Sequence, residues 1–227
     1  MLSTKIVCTI GPASDSPKRL AELAAAGMNV ARLNFSHGTH DSHKKIIEQI
    51  RKLNRSRQFP IALLLDTQGP EIRTGNEVVT LISSERVTVN TPPHEETEGT
   101  LFVNYSALKR DLEPGNYISI DGGLVSLKVL GKHERGLDCE VIDGGVVKGH
   151  RHVNLPGTIV KLPGITETDK QDILFGVKQK VDVIALSFVR SSETIREVRD
   201  LLGEHAQHIK IIAKIENQEG VDRLVEI

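Results

Sequence analysis

The first seventy residues alternate between short apolar runs and amphipathic stretches. Residues 4–10 (TKIVCTI) are apolar and β-branched and stop at Gly11-Pro12, which predicts a strand. Ser16-Pro17 reads as an N-cap followed by proline in the first helical turn. Leu20, Leu23 and Ala24 then give one apolar face, and Gly27 gives the stop. Residues 28–35 (MNVARLNF) predict a second strand. A helix near 40–53 places Ile46, Ile47, Ile50 and Leu53 on one face, and residues 61–66 (IALLLD) predict a third strand. Nearly continuous apolar strands separated by amphipathic helices predict a parallel sheet covered by helices.

From about 71 to 163 this pattern breaks. No amphipathic helix of useful length appears. Short alternating runs take over at 78–82, 86–89, 117–120, 124–130 and 139–142, divided by Pro92-Pro93, Pro114-Gly115, Asp121-Gly122-Gly123 and Asp143-Gly144-Gly145. A small all-β domain is expected there. Alternation resumes after Pro163-Gly164. Thr166 and Asp169 stand at capping-box spacing before Ile173, Leu174 and Val177. Residues 181–189 and 209–216 predict two more strands, a helix at 192–202 ends at Gly203, and a last helix is expected from near Val221. Strand starts near 4, 28, 61, 181 and 209 are each one βα repeat apart, about 25–35 residues, except the third interval. That interval holds one repeat plus roughly 90 residues. The expected order is β-α-β-α-β, an inserted β domain, then α-β-α-β-α. The expected bounds are 1–70, 71–163 for the insert, and 164–227.

Composition narrows the function classes. The chain has 227 residues with 29 Lys and Arg against 30 Asp and Glu, a formal charge of -1, so it lacks the electrostatic footprint of a nucleic-acid binder. Five Phe, two Tyr and no Trp are too few for a base-stacking platform. No apolar run reaches the roughly 20 residues of a membrane span. Cys8 and Cys139 lie far apart in a chain without an export signal. Free thiols in a reducing, cytoplasmic setting are therefore expected. The nine His show no H-x-x-x-H and the cysteines no C-x-x-C, so no zinc site is predicted, and no Gly-rich nucleotide loop occurs.

In parallel α/β folds, ligands gather where strands end. The second strand leaves through Arg32, Asn34 and Ser36, which alternate and share a side of an extended chain. A cation, an amide and a hydroxyl suit an oxyanion or a hard cation; they equally suit a solvated strand end with a helix cap. The third strand leaves through Asp66-Thr67-Gln68-Gly69-Pro70-Glu71-Ile72-Arg73. An acid after three leucines is costly to bury unless paired or coordinating a metal. Arg73 offers a phosphate fork or an ordinary surface charge. On the fifth strand, Lys214 and Glu216 share a face as an ion pair, or as an ammonium beside a Mg²⁺ ligand. The insert closes through a basic turn containing Lys148, His150, Arg151 and His152.

In this order, TKIVCTIGPAS (4–14), GMNVARLNFSHG (27–38), LLLDTQGPEIRTG (63–75), VNLPG (153–157), LPGITETDKQDILFGV (162–177), ALSFVR (185–190) and IIAKIENQEGV (211–221) resemble the pyruvate kinase family. The resemblance implies an α/β fold: a partial (β/α)8 barrel, five of eight strands, with a small all-β barrel domain inserted after strand 3. It implies phosphoryl transfer from phosphoenolpyruvate to ADP in glycolysis, with Mg²⁺ (or Mn²⁺) and K⁺ as cofactors. It implies that Arg32 and Arg73 contact the transferred phosphoryl group and nucleotide phosphates, and that Lys214 stands over the phosphoryl group in flight. Asn34, Ser36, Asp66 and Thr67 correspond to K⁺ ligands, Glu216 to a Mg²⁺ ligand, Glu71 to a position that accompanies K⁺ dependence, and Ser187 to a neighbour of the pocket.

Two departures bear on the site. Gln68 replaces the usual Lys, which is more typical of K⁺-independent members, whereas Glu71 and Thr74 look K⁺-dependent. The reading favours K⁺ dependence because an added carboxylate demands a counter-charge. Arg151-His152-Val153 stands where Lys-Gly-Val is frequent, so Arg151 is expected as a nucleotide contact and His152 as a bulkier element in the lid. The family is homo-oligomeric, usually tetrameric. This chain is expected to be a truncated part of the enzyme, without the sixth strand that carries the second metal carboxylate and without the assembly domain, and so to be weak or inactive on its own. Five barrel strands would leave two open sheet edges. The rival expectation is a non-catalytic binding or assembly module that keeps the phosphate- and cation-binding residues.

Overall fold

The computed structural model describes residues 4–158 and 160–227. The chain forms two compact units, Met1–Pro70 with Pro163–Ile227, and Glu71–Leu162.

The first unit is a mixed α/β half-barrel. Its strands are β1 (Val7–Ile10), β2 (Val30–Asn34) and β3 (Ala62–Asp66), with α1 (Pro17–Ala25) and α2 (His40–Asn54) between them. Capping chemistry sets these helices. The Ser16 side chain accepts the Arg19 N–H ahead of Pro17, and Thr39 and Ser42 form a reciprocal capping box on α2. Gly27, at φ 107°, turns the chain out of α1 as only glycine does readily. On the face of the sheet toward the helices, Ala31, Leu33, Leu63 and Leu65 are buried against Leu20, Ile47 and Ile50. Each such side chain contributes about 1.5–3 kcal/mol.

The second unit holds β4 (Val79–Leu81), β5 (Arg86–Asn90), β6 (Leu101–Phe102), the four-residue α3 (Leu108–Asp111), β7 (Tyr117–Ile120), β8 (Val125–His133), β9 (Gly136–Asp143), β10 (Gly145–Val147) and β11 (Val153–Asn154). Six strands pair in the order β11-β7-β8-β9-β5-β6, antiparallel except β5 with β6, and β10 pairs with β4. They surround a core of their own, including Val89, Leu127, Leu137 and Cys139. Burial pushes the Cys139 thiol up to about 12, and both cysteines are free. The sequence pattern missed β6, β10 and β11, because two or three residues are too few to show a period.

The first unit then continues with α4 (Glu167–Lys178), β12 (Val183–Leu186), α5 (Ser192–Leu202), β13 (Lys210–Ala213) and α6 (Gln218–Asp222). The sheet order is β1-β2-β3-β12-β13, parallel throughout. The strands on either side of the inserted unit are thus direct neighbours. The Asp182 carboxylate fixes that join by accepting the Leu63 N–H at 2.7 Å. The last strand is shorter than expected, ending at Ala213, so Lys214 and Glu216 lie just beyond it. The last helix starts at Gln218 rather than near Val221, because the Asn217 side chain caps it by accepting the Gly220 N–H.

In the second unit, a Cβ on Gly136 would lie 2.0 Å from the Val89 carbonyl oxygen across the β5–β9 ladder. Gly136→Ala should therefore lower the stability of that unit by about 1–3 kcal/mol in urea unfolding. A midpoint equal to wild type would contradict the close approach.

Candidate functional site

Strand register decides which side chains meet in the first unit. Asn34 is level with Asp66, Asp66 with Ala185, and Ala185 with Ile212. Level residues in a parallel ladder share a face, and alternation carries that face back to Arg32. Continued past β13, the same alternation reaches Lys214 and Glu216. This is the face turned away from the helices. Along it Leu64 and Ala185 are buried near the centre of the sheet, while Val7 and Ile212 on the outer strands are 51% and 45% exposed. Asp66, by contrast, is 1% exposed.

Asp66 gathers the cations. Its Oδ2 accepts the Arg32 Nε–H at 2.6 Å, and Arg32 Nη2 lies 2.5 Å from the same oxygen. Lys214 Nζ lies 3.0 Å from the buried Oδ1, an ion pair on the other oxygen. Arg32 also donates through Nη1 to Thr9 Oγ1 on β1 at 2.7 Å. Lys214 Nζ is 3.6 Å from Glu216 Oε1. Asn34 Oδ1 accepts the Ser36 N–H at 3.1 Å, so Ser36 sits on a side-chain-closed turn past β2 rather than on the strand itself.

Two turns support these groups. After β12, Phe188 takes φ 55°, unusual for a bulky residue, and its N–H donates to Glu216 Oε2 at 3.0 Å. That bond ties the exits of β12 and β13 together. Thr67 is bound to Ser187 twice. Its carbonyl accepts the Ser187 Oγ–H at 2.5 Å and its Oγ1 accepts the Ser187 N–H at 3.2 Å. Ser187 therefore acts from within the site's framework.

Arg73, Glu71, Arg151 and His152 belong to the second unit. Glu71 Oε2 accepts the Arg73 Nε–H at 2.8 Å, and Glu71 Oε1 lies 2.8 Å from His152 Nδ1. Arg73 also donates through Nη1 to the His150 carbonyl at 2.7 Å. Arg151 Nε is 3.8 Å from Asp121 Oδ2. Burial raises the Glu71 pKa, but the hydrogen bonds from His152 and Arg73 outweigh it and hold the carboxyl below its usual range. The counter-charge that the sequence reading sought in K⁺ is thus supplied to Glu71 by its own neighbours. His152, expected as a bulky member of a basic turn, completes this pair with its ring, and its backbone bridges to Arg73. Its side chain found a carboxylate 81 residues away, which no local pattern signals.

The geometry agrees with the comparisons to known proteins. The family model "Pyruvate kinase, barrel domain" matches residues 1–227. The chain belongs to the pyruvate kinase family. Relatives in this family include proteins named "Pyruvate kinase" from Staphylococcus aureus strains USA300, NCTC 8325 / PS 47 and COL. Each is 47% identical over 232 residues that cover 100% of this chain. The chain spans 40% of the length of these pyruvate kinase relatives.

The donor set suits hard cations. The buried Asp66 carboxylate, ion-paired with Arg32 and Lys214, lies among strand exits that carry the amide and hydroxyl oxygens of Asn34, Ser36 and Thr67. Among the described residues, no three His, Cys, Asp or Glu cluster as a metal site, so a divalent ion there would draw mainly on Glu216. No helix among the described residues is long and apolar enough to cross a membrane.

A carboxyl held below its unfolded pKa contributes stability that is present above the unfolded value and lost as pH falls through the folded one. Replacing Glu71 by Gln should lower the unfolding midpoint of the second unit at neutral pH. The gap from wild type should close as pH drops below the ordinary carboxylate range. Urea titrations between pH 7 and pH 3 read this directly, and a gap that does not change with pH would contradict the ion pairing.

Proposed function

We propose that the chain carries the phosphoryl-transfer residues of a pyruvate kinase, moving a phosphoryl group from phosphoenolpyruvate to ADP and yielding pyruvate and ATP in a cytoplasmic glycolytic setting. The observation that carries this reading is the pair of cations, Arg32 and Lys214, held on opposite oxygens of one buried carboxylate at the sheet's C-terminal edge. Phosphoryl transfer demands positioning and charge neutralisation rather than covalent chemistry by the protein. Asp66 fixes where both positive charges stand before substrate arrives. Arg32 is 33% and Lys214 27% exposed at the side chain, so each keeps a free surface for phosphoryl oxygens. Lys214 then stabilises charge on the group in transit, and Arg32 orients it. In the second unit, Arg73 and Arg151 offer guanidinium groups to nucleotide phosphates. Arg73 is held for that task by Glu71 and His150.

Two cations complete the proposal. K⁺ would draw on the oxygens of Asp66, Asn34, Ser36 and Thr67, and Mg²⁺ (or Mn²⁺) on Glu216. When bound, the metals neutralise phosphoryl and substrate oxygens. The case for K⁺ rests on this set of oxygens rather than on Glu71, which Arg73 and His152 already pair.

A coupled pyruvate assay with ADP, Mg²⁺ and K⁺ tests this reading. Lys214→Met should cut turnover roughly 100-fold or more while phosphoenolpyruvate and ADP still bind. Unchanged turnover would remove Lys214 from the chemistry. The assay is run on this chain and on one extended to the length of its relatives; retained phosphate and cation binding with no pyruvate made by either would favour a non-catalytic module. Omitting K⁺ at saturating Mg²⁺ should lower the rate, and a rate indifferent to K⁺ would remove that cation from the proposal.

A further inference from the structure

We propose that Asp169 is a positioning residue whose buried carboxylate sets the Thr67–Gly69 turn and, through it, the oxygen donors at the exit of β3. The part of this proposal that concerns a bound cation rests on the reading above.

Asp169 does more than cap a helix. Its Oδ2 accepts the Thr166 N–H at 2.8 Å and the Thr166 Oγ–H at 2.7 Å, while Thr166 Oγ1 accepts the Asp169 N–H at 3.0 Å. Those bonds complete the capping box of α4 and use one carboxylate oxygen. The other oxygen, Oδ1, accepts the Gly69 N–H at 2.9 Å, from a residue 100 positions earlier in the chain. Asp169 is 0% exposed. Its neighbour one turn on does not compete for that amide, because Asp172 Oδ1 is engaged by His40 Nε2 at 2.6 Å.

Helix α2 supplies the internal comparison. There Thr39 and Ser42 form the same box with a neutral hydroxyl. Capping α4 therefore needs neither a charge nor a second oxygen. Burying a carboxylate carries a desolvation cost that capping alone does not explain. What Asp provides and Ser does not is the oxygen that reaches Gly69.

The turn it reaches is held on its other side by β12. Thr67 N–H donates to the Ala185 carbonyl at 3.0 Å, and Ser187 makes the two bonds to Thr67 already described. Gly69 has φ 75°, and a Cβ there would meet Ser187 Cβ at 2.8 Å and the Ser187 carbonyl oxygen at 2.9 Å. The Gly69 amide is thus clamped between α4 and the β12 exit, three residues from Asp66. Without Asp169 Oδ1 it would be a buried, unpaired donor.

The test uses Asp169→Ser, which rebuilds the α2 type of box without the second oxygen, with Thr166→Val as a variant that removes the box's hydroxyl and keeps Asp169 Oδ1 for Gly69. Three quantities are measured: the unfolding midpoint, the exchange rate of the Gly69 amide by NMR, and the affinity for Tl⁺, used as a K⁺ probe, by thallium-205 NMR. Asp169→Ser should speed Gly69 exchange about 10-fold and weaken Tl⁺ binding about 10-fold, in line with the loss of one charge-assisted hydrogen bond. Thr166→Val should leave both near wild type while lowering the midpoint. Unchanged Gly69 exchange in Asp169→Ser overturns the proposal. So does faster exchange with unaltered Tl⁺ affinity, or an equal response to Thr166→Val; a wild-type protein that binds no Tl⁺ overturns the K⁺ site of the proposed function, and Gly69 exchange then decides Asp169's role alone. Should Asp169→Ser not fold, Asp169→Asn is read by the same criteria, since one amide oxygen cannot serve both the box and Gly69. Pyruvate formation is not among these readouts, so failure of the proposed reaction and failure of Asp169's role appear in separate measurements.

Discussion

The site in the first unit depends on one carboxylate that the fold has taken out of water. Asp66 follows Leu63, Leu64 and Leu65 on the central strand of a five-stranded parallel sheet, and it is 1% exposed. A charge in that position must be compensated or the strand is destabilised by several kcal/mol. Arg32 from one side and Lys214 from the other supply the compensation. Strand register then follows as a requirement, because a shift of one residue in β2 or β3 would turn Arg32 or Asp66 toward the helices. The helix-facing side of the sheet, packed with aliphatic residues, holds that register in place.

The surrounding turns extend the same logic. The exits of β3, β12 and β13 are held by bonds to one another or to α4. Phe188 N–H reaches Glu216, Ser187 holds Thr67, and Asp169 holds Gly69. Charged groups therefore stand on a backbone whose freedom is small before any ligand arrives, which is what electrostatic stabilisation of a transferring phosphoryl group requires. The second unit repeats the motif on a smaller scale, with Glu71 holding Arg73 and His152.

Much of this was legible in the sequence, and the reasons are local. The alternation of Arg32 and Asn34, and of Lys214 and Glu216, fixed their shared face as soon as the segments were read as strands. The Thr166–Asp169 spacing announced the start of α4. An acid directly after three leucines announced a paired or metal-bound group. What the sequence did not disclose depends on partners distant along the chain. The Gly69 bond to Asp169 spans 100 residues and the His152 bond to Glu71 spans 81. The early end of β13 also escaped the pattern, because the alternation of Ala213, Lys214, Ile215 and Glu216 still reads as strand while the ladder stops at Ala213. The family resemblance supplied roles for individual residues that spacing alone left open between ion pair and ligand.

The most direct test of the account is a double-mutant cycle between Asp66 and Lys214, using Asp66→Asn, Lys214→Met and the double variant in denaturant unfolding. If Asp66 is the shared anchor, the two losses should fall short of additive by about 1 kcal/mol or more. Losses that add to within about 0.5 kcal/mol would show that the carboxylate and the ammonium are energetically independent, and would contradict the account.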